Sequence, residues 1–248
     1  MESIPQDMNV RQKIFESFLL APILGYVVFS LIVAPFVAPP AYAKQVLHYK
    51  TYHPKTGEEL NRFYGSMEEN LSGGYQVHWV IEENGTATEE DYTLDEHFGT
   101  LGFRVVNVSE KTDYTGERRQ NSVFIRGQYR GEKIEKTMPI DGRPFYYNPK
   151  IGLTAFVRSG KKQATFWGFQ NRELKVYPMR ATNGGPDMVS VNDRSVEAVK
   201  VYWTVDDFRS AFFKRTYWFR KSDGIFVKQK SEGGTFREMV SEEGRQNL

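Results

Sequence analysis

From Lys44 onward the sequence returns repeatedly to one pattern, a large apolar side chain at every second position. It is clearest in Tyr75-Gln-Val77-His-Trp79-Val-Ile81 and in Val199-Lys-Val201-Tyr-Trp203-Thr-Val205. In an extended chain alternate side chains share one face, so each segment buries one side and wets the other. Further candidate strands are Val46–Tyr52, Leu60–Ser66, Thr86–Leu94, Phe103–Glu110, Ser122–Arg126, Tyr129–Met138, Ala164–Gln170, Leu174–Ala181, Met188–Val191, Lys214–Arg220 and Ile225–Lys230. Asn84-Gly85, Asn183-Gly184-Gly185 and Asp223-Gly224 fall between such segments and supply the positive φ that tight hairpins need.

Two stretches break the rhythm. Between Pro149 and Gly160, Ile151, Leu153, Ala155, Phe156 and Val157 form the buried side of a short helix, with proline in its first turn and glycine at its stop. A second helical turn is expected over Val205–Phe212, capped by Asp206 or Asp207. The tail Ser241–Leu248 is polar and is expected to fray. The fold class that follows is all-β and mainly antiparallel: one strongly curved sheet or half-barrel with one short helix. Large sheets twist, and they curl or close. The concave side is then either filled by side chains or left hollow enough to hold an apolar ligand. The aromatic residues that would line such a hollow are Trp79, Trp167, Trp203, Trp218, Phe166 and Tyr146, with Phe145, Tyr147 and Phe169 as neighbours. The alternative role for all of them is ordinary core packing.

Ahead of this domain, Arg11 and Lys13 precede an uncharged stretch from Ser17 to Ala43 that ends in Ala41-Tyr42-Ala43. A positive region, an apolar region and small residues before the cut make a secretory leader. Residues 1–43 are therefore expected to be a signal peptide with a hydrophobic leader helix, and 44–248 a single β domain in the bacterial periplasm. The alternative is an uncleaved inner-membrane anchor facing the periplasm, since the run is long enough to span a bilayer. Pro22, Pro35, Pro39 and Pro40 disfavour a regular helix near its end. Membrane contact is expected through this leader only.

Among 248 residues, 33 basic and 31 acidic side chains are interspersed, which leaves no electrostatic footprint for nucleic acid. Arg118–Arg119 and Lys161–Lys162 read as solvated turn residues. There is no cysteine, which removes thiol catalysis, iron–sulfur clusters, cysteine-based zinc sites and lipoprotein acylation. His48, His53, His78 and His97 are scattered, and no serine elbow or phosphate-cradling loop occurs. The tightest polar cluster, Glu89-Glu90-Asp91 with Asp95-Glu96-His97, reads as the solvated face and end of a strand. Asn70, Asn84 and Asn107 head short glycosylation-like triplets that say nothing in a bacterial host. No catalytic residue, metal site or cofactor is expected.

The run Tyr217-Trp218-Phe219-Arg220-Lys221-Ser222-Asp223-Gly224-Ile225-Phe226-Val227-Lys228, followed by Gly233-Gly234-Thr235, resembles a group of uncharacterised Gram-negative periplasmic proteins grouped as a domain of unknown function. The resemblance covers most of the chain after the leader in layout and is specific in its last forty or so residues. It implies a clam-like half-barrel, similar in shape to periplasmic carriers that shield lipoprotein acyl chains, and it implies no catalytic residue. Two roles stay open. One is a non-catalytic binding or carrier module for a hydrophobic ligand such as an acyl chain. The other is an envelope interaction or assembly factor with a filled core.

Overall fold

A computed structural model describes residues 44–191, 194–207, 214–231 and 234–243. The leader expected over residues 1–43 lies outside them, as do most of the helical turn expected over Val205–Phe212 and the end of the tail.

The strands are β1 (Gln45–Tyr52), β2 (Glu59–Glu69), β3 (Tyr75–Glu83), β4 (Thr86–Leu94), β5 (Thr100–Asn107), β6 (Thr112–Arg119), β7 (Ser122–Tyr129), β8 (Glu132–Pro139), β9 (Phe145–Tyr146), β10 (Gln163–Gln170), β11 (Lys175–Val191), β12 (Arg194–Val205), β13 (Lys214–Arg220), β14 (Phe226–Lys230) and β15 (Phe236–Glu243). The helix α1 (Pro149–Arg158) interrupts them. All fifteen strands form one sheet, in the order β8-β7-β6-β5-β4-β3-β2-β1-β15-β14-β13-β12-β11-β10-β9. Every pairing is antiparallel except the short β9–β10 contact. The first described strand pairs with the last at a seam in the middle of the sheet, with Val46 opposite Glu243.

Chain connectivity dictates the curvature. β8 and β9 are opposite edges of the sheet, yet only Ile140–Pro144 join them, a reach of about 20 Å at most. The joining segment is pinned at both ends, Ile140 N–H donating to Asn121 O (3.0 Å) and Trp167 N–H to Pro144 O (2.7 Å). Arg143 and Trp167 converge on Asp141, whose carboxylate accepts from Arg143 Nε (2.9 Å) and Trp167 Nε1 (2.8 Å). The sheet must curl until its edges nearly meet. Ring contacts confirm this, for Phe103 on β5 lies 5.4 Å from Phe169 on β10.

The helix fills part of the concave side. Asn148 caps it by accepting from Lys150 N–H (3.1 Å), Pro149 opens it, and Gly160 (φ 64°) follows its end. Leu153, Phe156 and Val157 are buried, and Arg158 Nε donates to Asp223 O (2.8 Å), tying the helix to the β13–β14 turn.

Several expectations are corrected. Asn183-Gly184-Gly185 is not a turn but lies inside the long β11, where the register shifts between Asn183 and Pro186. A bulge uses the positive φ of Gly185 (89°) as a hairpin would, and it also accommodates Pro186, which has no N–H to donate. The stretch Tyr129–Met138 is two strands, split at Arg130-Gly131, both with positive φ (51° and 84°). Val205 ends β12 instead of opening a helix, and Ser241–Glu243 close β15 instead of fraying.

Candidate functional site

The inward face of the sheet changes character along the strands. One row is apolar: Tyr49 on β1 faces Phe63 on β2, which faces Ile81 on β3, and Met239 on β15 faces Tyr49 from the other side. Two residues further along each strand the same face is polar. Tyr217, Gln229, Arg237, Thr51, Asn61 and Glu83 stand in register across β13, β14, β15, β1, β2 and β3. Because side chains alternate, this belt points to the same side as the apolar row.

All of the belt except Thr51 lines one wall of a cavity of about 580 Å³. Phe63, Trp79, Ile81, Met179, Trp203 and Val205 supply its apolar surface. The cap of α1, Asn148, and its first residues, Pro149 and Lys150, close it from the helix side. The positive end of the helix dipole therefore faces the cavity.

Four basic side chains line it: Lys150 from α1, Arg172 from the turn after β10, Arg215 from β13 and Arg237 from β15. Phe63 is the common neighbour of two of them. The Arg237 guanidinium carbon lies 3.4 Å from the ring centroid, and the Lys150 ammonium 5.9 Å from it. Arg237 Nε donates to Thr51 Oγ1 (2.9 Å). Both side chains keep part of their surface, which opens on the cavity, but protein surrounds them closely enough that desolvation dominates. Burial, reinforced by the Arg237 charge, holds the Lys150 amine well below the usual lysine range. Burial likewise lowers Arg237 to about 10, so it stays charged at neutral pH.

Glu90 is the buried acid of this region, 4% exposed. Burial raises its carboxyl above the usual range, opposed by the hydrogen bond from Tyr92, the Lys150 charge and the hydrogen bond from Tyr147. Tyr147 OH also accepts from Asn171 Nδ2 (2.8 Å). The remaining acids of that sequence cluster do face outward, with Asp91 against His78 (2.8 Å) and Asp95 accepting from His97 and Gly99 N–H in a turn. Glu90 is therefore the exception to the expectation of a solvated face.

The six aromatic residues singled out from the sequence are dispersed. Trp79 and Trp203 line the cavity. Phe166 and Tyr146 lie 4.9 Å apart with their rings tilted, in the packed region against α1, where the ring of Tyr146 fits against Gly152. Trp167 leans on Asp141 and Arg143, and Trp218 donates to Asp187 Oδ2 (2.9 Å) beside Lys200. The cavity's polar residues were not singled out from the sequence. Their one signal is a polar residue in phase with an apolar row, as Arg237 is with Met239 and Asn61 with Phe63.

Chemically the cavity is built to hold, with donors at Lys150 and Arg237 and buried acceptors at Asn61 Oδ1 and Gln229 Oε1 that have no protein donor. Among the described residues no group of three or more histidine, aspartate or glutamate side chains could hold a metal ion.

The conspicuous Arg220 to Lys228 run makes a structural clamp. Arg220 binds Asp223 Oδ2 (2.7 Å) and Glu242 Oε2 (2.7 Å), fastening the β13–β14 turn to β15.

No protein-family model matches the chain, and neither does any curated protein. Among solved structures the chain is similar to a beta-barrel-like protein of domain of unknown function DUF1849 from Brucella abortus, at 14% identity and a TM-score of 0.56, over 83% of this chain and 98% of that one. The likeness is one of fold, and it is the half-barrel that the resemblance in the last strands implies.

Proposed function

We propose that the β domain is a non-catalytic binding module, exported to the bacterial periplasm, that carries an amphipathic ligand inside its curled sheet. The observation behind this reading is the cavity itself. Its volume falls within the range of about 300–1,000 Å³ usual for small-molecule sites, and it pairs aromatic walls with a few polar groups. An acyl chain fits against Phe63, Ile81, Met179 and Trp203, and the polar belt receives the other end. The interaction-protein reading has less support, because the free edge strand β8 carries Glu132, Lys133, Glu135 and Lys136, charges that discourage strand addition.

Native mass spectrometry of the full-length protein purified from the envelope fraction tests the proposal, together with tryptophan fluorescence during titration with decanoate and decan-1-ol. A bound small molecule, or a saturable change lost in Trp203→Phe, is expected. No co-purifying species and no saturable response to either probe would remove the binding reading.

A further inference from the structure

We infer that the cavity holds an anionic group, a carboxylate or a phosphate, between Lys150 and Arg237. This rests on the binding reading above and specifies the polar end of the ligand.

Lys150 and Arg237 lack a direct counter-ion among the described residues. They come from different elements, α1 and β15, and the fold brings them to the same phenyl ring. Among the described residues neither forms an ion pair, and the only hydrogen bond made by either side chain is Arg237 Nε to Thr51. A guanidinium and an amine brought together in partial desolvation oppose each other's protonation unless an anion compensates them. Three acids also line the cavity, Glu83, Glu90 and Glu173. Glu90 acts electrostatically on both basic groups and Glu83 on Arg237, but among the described residues none pairs directly with either; Glu90 instead accepts from Tyr92 and Tyr147, and Glu173 from Tyr177. The terminal nitrogens of Arg237 and the amine of Lys150 are thus donors facing a cavity, which Arg172 and Arg215 also line. A planar guanidinium fork suits a carboxylate or phosphate.

The same region leaves two acceptors without donors, Asn61 Oδ1 and Gln229 Oε1, which flank Arg237 across β1 and β14. An anion carrying hydroxyl or protonated groups would satisfy these as well.

The test compares three probes by calorimetry on the full-length protein: decanoate, decan-1-ol and inorganic phosphate. Decanoate is expected to bind at least about tenfold tighter than decanol, since its charged head group makes charge-assisted hydrogen bonds that the alcohol cannot. Lys150→Met and Arg237→Met should each remove most of that preference while leaving decanol affinity in place. Arg237→Lys, which keeps the charge, should retain part of the preference and guards against a folding defect in the methionine variant. If phosphate binds, depends on the same two residues and displaces decanoate, a free anion is a sufficient ligand. If phosphate does not bind while the decanoate preference holds, the anion is the head group of an amphiphile. Equal affinity for decanoate and decanol, with no phosphate binding, overturns the anion site but leaves the binding module standing. So does a preference that survives both methionine substitutions. Binding of none of the three removes both.

Discussion

Phe63 and Phe103 point to the same concave side of one sheet, three strands apart, and meet opposite surroundings. Phe103 lies among rings: Tyr147 at 4.3 Å, Phe169 at 5.4 Å, Phe145 at 6.3 Å and Tyr114 edge-on at 6.2 Å. Its partner strand makes room with Gly116, where a Cβ would come within 2.0 Å of the ring. Phe63 lies beneath a guanidinium, near an ammonium, beside open space. The same residue type on the same curved surface thus makes a solid core at one place and the floor of a binding site at another. The difference is set by what the neighbouring strands contribute in register.

Truncating each ring should separate the two surroundings by the largest margin. Phe103→Ala should lower stability by about 3–5 kcal/mol in urea unfolding, because the lost contacts leave a cavity that the surrounding rings cannot fill. Phe63→Ala should cost less than half as much, since much of the new space joins a hollow that already exists. Equal losses would mean that the hollow is filled.

A smaller effect of opposite sign is expected at Lys150. Lys150→Met removes a desolvated amine and should raise stability at neutral pH by on the order of 1 kcal/mol. Its folded pKa is depressed, so the native state disfavours the proton that the unfolded chain binds. That penalty is present at neutral pH and disappears above the ordinary lysine pKa of about 10.4. Unfolding of the two proteins at neutral and high pH should therefore converge as the pH rises. A gain that does not depend on pH would assign the effect to packing.

The smallest effect lies at the closure of the sheet. The Arg143 guanidinium, helped by the Trp167 indole, holds the Asp141 carboxyl well below the usual range. Its contribution is complete above the ordinary aspartate pKa of about 3.9 and is lost as the pH falls through the lower folded value. Asp141→Asn should lower the thermal midpoint slightly at neutral pH, and the gap should close in acid. A gap that persists in acid would mean that the residue acts through something other than its charge.

The same contrast explains how much could be read from the sequence. β3 is legible because its inward residues Val77 and Trp79 are apolar and buried. β6 is not, since its inward positions are Thr112, Tyr114 and Gly116, two of them without apolar bulk. β15 is not legible either, because Arg237 occupies an inward position. A polar side chain facing a cavity and one facing bulk solvent look alike in a sequence, so the belt reads as exterior. The helix was legible from the end signals of Pro149 and Gly160. The bulge in β11 was not, because glycine's freedom serves turns and bulges equally well.

The seam between β1 and β15 has a consequence for how the molecule is made. A polypeptide emerging from its N-terminal side can zip β1 through β8 into a meander early, each strand finding the one just synthesised. The wall that carries Arg237 cannot exist until the final strand has been delivered, because Arg237 sits opposite Thr51, far back in the chain. Pairing across such a separation is slow to form. Maturation of the hollow should therefore lag behind consolidation of the ring-packed side. Loss of the last strand would leave a nascent chain with ordered hairpins and nothing to carry.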